Sequence, residues 1–197
     1  MQWIGVGAML AWGLWAPALA EAGCKGEACV APCDDGDADA CGELARHRWK
    51  EGERSSAYRL YIRACDGNHL DACVELGAIY AMTVPGVPAE KDLGLAREFY
   101  AKACKGGYHK GCLGWGEVLT EGPDASPKKA SKAWQRACDK GAPSNYYTLR
   151  ACFKLGELTE RGDGMKADPA AAAELYRRGC KEVINPESCA AAKRLGG

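Results

Sequence analysis

Residues 57–80 read AYRLYIRACDGNHLDACVELGAIY, and two periodicities in this stretch decide the fold. Ahead of the central turn, Ala57, Tyr61 and Cys65 are spaced four and four, which puts them on one slowly drifting stripe of a helix. After it, Cys73, Leu76, Gly77 and Tyr80 fall at offsets 0, 3, 4 and 7, a single helical face. Between them lies Asp66-Gly67-Asn68, where a glycine just past a helix end predicts a left-handed cap. The stretch therefore predicts two antiparallel helices, with one cysteine on either side of their turn.

Working outward, the same pattern returns. Its first half recurs as Ala96, Tyr100 and Cys104, as Ala130, Trp134 and Cys138, and as Ala172, Tyr176 and Cys180. The second half recurs as Cys112, Trp115, Gly116 and Leu119 and as Cys152, Leu155 and Gly156, with Cys41, Leu44 and Ala45 as an earlier variant. A mid-helix glycine costs about 1 kcal/mol relative to alanine. Its return at one register predicts a tight helix crossing. The turns Lys105-Gly106-Gly107 and Asp139-Lys140-Gly141 repeat the expected glycine cap. Ser126-Pro127 and Asp168-Pro169 each place a capping side chain before a proline at the first helical position. Equivalent cysteines lie 32 to 42 residues apart, the range of two-helix solenoid units. The fold class is all-α, a right-handed α-solenoid stapled by disulfides.

Twelve cysteines in 197 residues are an even number, as a full disulfide framework requires. Zinc sites need clustered spacings such as C-x2-C, which are absent, and His47, His69 and His109 lie far apart. The repeat register pairs Cys33 with Cys41, Cys65 with Cys73, Cys104 with Cys112, Cys138 with Cys152 and Cys180 with Cys189, leaving Cys24 with Cys29. Closing a loop of about nine residues stabilises by roughly 2.5 kcal/mol in the chain-entropy description.

Such a framework implies export, and the front of the chain agrees. Met1–Ala20 carries no charged side chain, is apolar from Trp3 to Leu19 and ends in Ala18-Leu19-Ala20, a cleavage pattern. The segment lacks Lys and Arg, so retention as an uncleaved anchor is the alternative and the one membrane attachment expected. The expected organisation is a signal peptide at 1–20, a cysteine-containing segment at 21–38 and the repeat solenoid at 39–197. The expected location is secreted or periplasmic, with an unlipidated chain starting at Glu21. The 26 basic and 26 acidic residues balance, which gives no support to nucleic-acid binding.

Leu-Gly-x2-Tyr in one helix and Ala-x3-Tyr-x2-Ala in its partner resemble the Sel1-like repeat, a relative of the tetratricopeptide repeat. The cysteine at each end of the turn is similar to the secreted cysteine-rich members, which include bacterial proteins described as penicillin binders or weak β-lactamases. The likeness runs from about Asp39 to Ala191. The family's loop motif G-x-G-V-x-x-D is retained best as Gly162-x-Gly164-Met165-x2-Asp168, and is degraded to Val84-x-Gly86-Val87-x2-Glu90. Arg48 replaces the helix tyrosine in the first unit, and Ala192-Lys193 replaces Leu-Gly in the last. A polar end of this kind suits a terminal repeat.

The resemblance implies binding of a peptide, protein or cell-envelope ligand on a concave surface, with penicillin binding or weak β-lactamase activity as the alternative. Ser126-Pro127-Lys128-Lys129 matches S-x-x-K, but the companions S-D-N and K-T-G are absent, so Ser126 is read as a helix cap. Asp35, Asp37 and Asp39 resemble the start of a calcium loop, but Ala40 stands at the turn glycine and Arg46 at the bidentate glutamate. They are read as a helix start. His69 and His109 are read as exposed turn residues. No cofactor or metal is expected. Because the 0, 3, 4, 7 face is core, Glu75, Ala78 and Glu117 are free to face a groove. Tyr146 and Tyr147 lie in the insertion between Cys138 and Cys152, either as loop contact residues or in a helix extended and capped by Asn145.

Overall fold

A computed structural model describes residues 23–196. The proposed signal segment, its cleavage site and Glu21 lie outside the described residues. A 3-10 turn at Gly26–Cys29 leads into ten helices: α1 (Val30–Asp34), α2 (Ala38–Lys50), α3 (Arg54–Asp66), α4 (Leu70–Ala81), α5 (Leu93–Lys105), α6 (His109–Val118), α7 (Pro127–Lys140), α8 (Tyr146–Arg161), α9 (Pro169–Gly179) and α10 (Pro186–Arg194). Each helix packs on the next, and the even-numbered α4, α6 and α8 also touch one another directly. That extra contact puts the even helices on the inside of the curve and the odd ones outside. The all-α disulfide-stapled solenoid follows the sequence pattern.

The helix starts are built by side chains the sequence supplies. Asp37 accepts from the N–H groups of Asp39 and Ala40, Asp92 from Gly94 and Leu95, Asn145 from Tyr147 and Thr148, and Asp168 from Ala171. Each such cap is worth about 1 kcal/mol. The acidic turn at residues 35–39 is thus a helix start. Two readings need correction. Ser126 holds the position before α7, but its hydroxyl makes no capping bond; Pro127 and the Ser126 N–H to Leu119 carbonyl bond of 2.7 Å set the entry. His69 and His109 are not exposed turn residues: His109 is the half-buried first residue of α6, and His69 stands just before α4. It is half-buried, and its Nδ1 accepts from the Ala72 N–H at 3.1 Å to cap α4.

Six disulfides join neighbours in the chain: Cys24–Cys29, Cys33–Cys41, Cys65–Cys73, Cys104–Cys112, Cys138–Cys152 and Cys180–Cys189. From the second onward, each ties the end of an odd helix to the early turns of the following even one. The cystine of α1 and α2 belongs to the same buried core as that of α3 and α4.

Ala57, Ala96, Ala130 and Ala172 are fully buried, and Tyr61, Tyr100, Trp134 and Tyr176 fill the space beside them. The recurrent helix glycines do what their register predicts. A Cβ at Gly77 would lie 2.8 Å from the Tyr100 ring, and one at Gly156 2.7 Å from that of Tyr176. Gly116 is covered by Trp134, whose indole N–H donates to the Leu113 carbonyl at 3.1 Å.

The turn glycines behave differently from expectation. In the first turn Asn68 adopts the left-handed conformation (φ 67°), while Gly67 is right-handed and pressed on the Ala38 methyl. Gly106 is likewise right-handed against Leu70, with Gly107 left-handed at φ 93°. Close approach of the preceding unit, and not backbone handedness alone, calls for glycine there.

A further repeat joins unit to unit. The basic residue two places before the first cysteine of a pair reaches the carbonyl end of the preceding odd helix. Arg63 donates to the Cys33 carbonyl, Lys102 to Cys65, Arg136 to Lys105 and Arg178 to Cys138. A cation satisfies orphan carbonyls there and complements the helix dipole.

Candidate functional site: the inner helical face

Counting from the second cysteine of each pair, positions −2, +2 and +5 of the even helices fall between the core positions and face the inside of the curve. In α4 these are Asp71, Glu75 and Ala78; in α6, Lys110, Gly114 and Glu117; in α8, Arg150, Lys154 and Glu157. Lys110 spans the gap between α6 and α4, with its Nζ 2.6 Å from Glu75 and 3.6 Å from Asp71. Arg46 of α2 approaches Asp71 from the other side at 3.0 Å, and the Tyr108 hydroxyl donates to Asp71 at 2.9 Å. Farther along, Lys154 pairs with Glu157 at 3.0 Å and Arg150 with Glu187 of α10 at 2.8 Å.

These contacts tune the groups. Burial works against the charge on Lys110, but its hydrogen bond to Glu75, with the charges of Glu75 and Asp71, raises its pKa above the ordinary lysine value. Desolvation, reinforced by the bond to Asp71, pushes Tyr108 up to about 12. Tyr100 is pushed up to about 12 by burial and then by the negative charges of Glu117 and Glu75. Although Glu117 reaches solvent, the walls around it desolvate its carboxylate and raise its pKa, with Lys154 and Arg150 opposing.

Between α4, α6 and the start of α8 lies a cavity of about 190 Å³, lined by Val74, Glu75, Ala78, Tyr100, Lys110, Leu113, Gly114, Glu117 and Tyr147. Three of the sequence-derived candidates, Glu75, Glu117 and Tyr147, come together there with Ala78. Tyr146 does not line it; half of its surface is exposed (49%), and its ring meets that of Tyr147 edge-on at 5.4 Å. Both tyrosines sit in the first turn of α8 behind the Asn145 cap, so the helical account of this segment holds and the loop account does not. Ser126 is not among the lining residues.

Lys110 and Gly114 have no place in the repeat pattern, and Tyr100 stands in it only as a core position. The signal for Gly114 was available. At the same register the other units carry Glu43, Glu75, Lys154 and Ala191.

The Sel1 repeat family model matches residues 53–69, 70–108 and 149–182. Cytochrome c oxidase assembly factor 7 of Homo sapiens is 30% identical over 129 residues, covering 62% of this chain and 53% of that protein. The Xenopus tropicalis protein of the same name is 37% identical over 81 residues, 40% of this chain and 34% of the relative. The chain thus matches between about a third and about a half of the length of these curated relatives.

Among solved structures, a protective antigen of uropathogenic Escherichia coli with an SLR fold superposes at TM-score 0.70 and 23% identity, over 86% of this chain and 35% of that one. A Sel1 repeat protein from Oxalobacter formigenes superposes at TM-score 0.70 and 18% identity, over 86% of this chain and 68% of that one. The two structural likenesses establish a shared fold. The chain is thus a disulfide-stapled α-solenoid that is similar to Sel1 repeats over residues 53–108 and 149–182.

Proposed function

We propose that this protein is a protein- or peptide-binding scaffold, exported to a secreted or periplasmic location, whose contact surface is the inner face of the even-numbered helices. One observation carries the reading. The −2, +2 and +5 positions of α4 and α6 bring Glu75, Lys110 and Glu117 together around one cavity, whose walls Tyr100 and Tyr147 complete. Sel1 repeats generally mediate protein–protein interaction, which fits a surface of this kind. None of the twelve cysteines is free, which fits an oxidising compartment. The uncharged Met1–Ala20 segment supports export. The curated relatives are named as assembly factors, and help in assembling a partner complex is compatible with the same surface.

A photo-crosslinking amino acid placed at Ala78 or Ala191 on the inner face should give adducts in the native envelope or secreted fraction. The same group at Glu98 or Ala101 on the outer helix α5 should not. Adducts from the outer positions alone would sink the reading. The β-lactam alternative gains nothing from the cavity, whose lining holds no serine. Nitrocefin turnover abolished by Ser126→Ala would restore it.

A further inference from the structure

We propose that the cavity beside Gly114 receives a single basic side chain, a lysine or an arginine, presented by a protein partner lying along the inner face. The proposal rests on the groove reading above and specifies its anchor.

The absence of a side chain at Gly114 lets the Tyr100 ring come up against α6 as one wall of the cavity. At the +2 register, α2, α4, α8 and α10 carry Glu43, Glu75, Lys154 and Ala191, and only α6 has glycine. A Cβ on Gly114 would lie 2.5 Å from the Cε1 of Tyr100. With no side chain there, the edge of Tyr100 becomes part of the cavity lining. A volume of about 190 Å³ leaves room for one side chain. It falls below the roughly 300–1,000 Å³ of sites that enclose small molecules.

The charge inventory selects the sign. Among the described residues, Glu75 is paired with Lys110, Asp71 with Arg46 and Lys110, and Glu157 with Lys154. Glu117 lines the same cavity and has no cationic partner within 4.0 Å among the described residues. Its nearest electrostatic neighbours, Lys154 and Arg150, are committed to Glu157 and Glu187. The lining therefore keeps one uncompensated negative charge.

The aromatic rings of Tyr147 and Tyr100 add walls that attract a cation, and no side chain among the described residues bonds the Tyr100 hydroxyl. An entering carboxylate or phosphate would meet Glu117, while Lys110, the one cation of the lining, is already held by Glu75 and Asp71. An apolar side chain would bury Glu117 without a partner, at a cost. An ammonium or guanidinium group meets neither objection. Its charge would also offset the desolvation that the cavity walls impose on the Glu117 carboxylate.

The test uses the full disulfide-bonded protein and a displayed library of random peptides. Selected peptides should carry a basic residue, citrulline in place of arginine should weaken them, and Glu117→Gln should cost at least about tenfold in affinity, about 1.4 kcal/mol. Melting temperature and helicity should stay unchanged in that variant. Peptides that tolerate Glu117→Gln but are lost in an Arg46→Glu, Lys154→Glu variant would overturn the anchor and leave the groove standing. Peptides indifferent to both variants would overturn both readings. Should selection return no peptide, titration of acetyl-Gly-Arg-Gly-amide followed by amide resonances decides. Shifts centred on Gly114 and Glu117, absent with the citrulline peptide, support the anchor; no shift there, or equal shifts with both peptides, refutes it.

Discussion

Gly77, Gly116 and Gly156 each give up about 1 kcal/mol of helix propensity, and each gains the face of an aromatic ring from the next odd helix. Replacing Gly77 by alanine should therefore lower stability, because the new methyl meets Tyr100 at 2.8 Å and overpacking costs about 1–3 kcal/mol. Thermal unfolding checks this; a rise in melting temperature would mean that Tyr100 moves aside and propensity wins. These three glycines were legible because a residue that disfavours helices returned at one register. Gly114 was harder to read, since its meaning lies in being unlike its equivalents and in a contact with Tyr100 fourteen residues earlier. Glu75 and Glu117 were found by elimination from the core face. That Lys110 neutralises one and not the other depends on which helices stand side by side.

At the scale of elements, helix ends separate what composition suggests from what geometry uses. Asn145 makes two bonds to the first turn of α8, and Asn145→Ala should cost about 1 kcal/mol in denaturant unfolding. Ser126→Ala should leave the midpoint nearly unchanged, because its hydroxyl caps nothing. Both residues precede a helix in polar sequence. The side-chain rotamer that separates them has no sequence signature.

The last helix is held by Glu160 of α8, which accepts two hydrogen bonds from Arg194 and one from the Tyr176 hydroxyl of α9. Those bonds, Arg194 first, hold the Glu160 carboxyl down at about 2, below its ordinary 4.5. A depressed carboxyl pKa adds stability that is fully present above the ordinary value and is lost as pH falls through the folded one. Hydrogen exchange in α10 should accelerate as pH falls from about 4.5 toward 2, after correction for the intrinsic rate. Glu160→Gln should flatten that dependence; a variant as pH-sensitive as the parent would place the weakness elsewhere.

Across the whole molecule, covalent and non-covalent links divide the work. Every disulfide closes a loop inside one unit, with sequence separations of 5 to 14 residues. Nothing covalent but the backbone joins one unit to the next. The joints are instead the ring-on-glycine contacts and the four cations that cap preceding helices, Arg63, Lys102, Arg136 and Arg178. In a repeat array, stability is a sum of unit terms and nearest-neighbour terms, and here the two kinds can be removed separately. Replacing Cys104 and Cys112 together by alanine should cost about 2.5 kcal/mol in the chain-entropy description. The loss should be local, with faster hydrogen exchange in α5 and α6 while α9 and α10 keep their protection. Lys102→Met keeps the apolar stem of the side chain but removes the donor to the Cys65 carbonyl. It should leave the Cys104–Cys112 unit intact and loosen its seam with α3 and α4, seen as a broader unfolding transition. If the double cysteine variant instead unfolded every helix together, and Lys102→Met left the transition as sharp as before, coupling would run through the continuous core and the division of labour would be wrong.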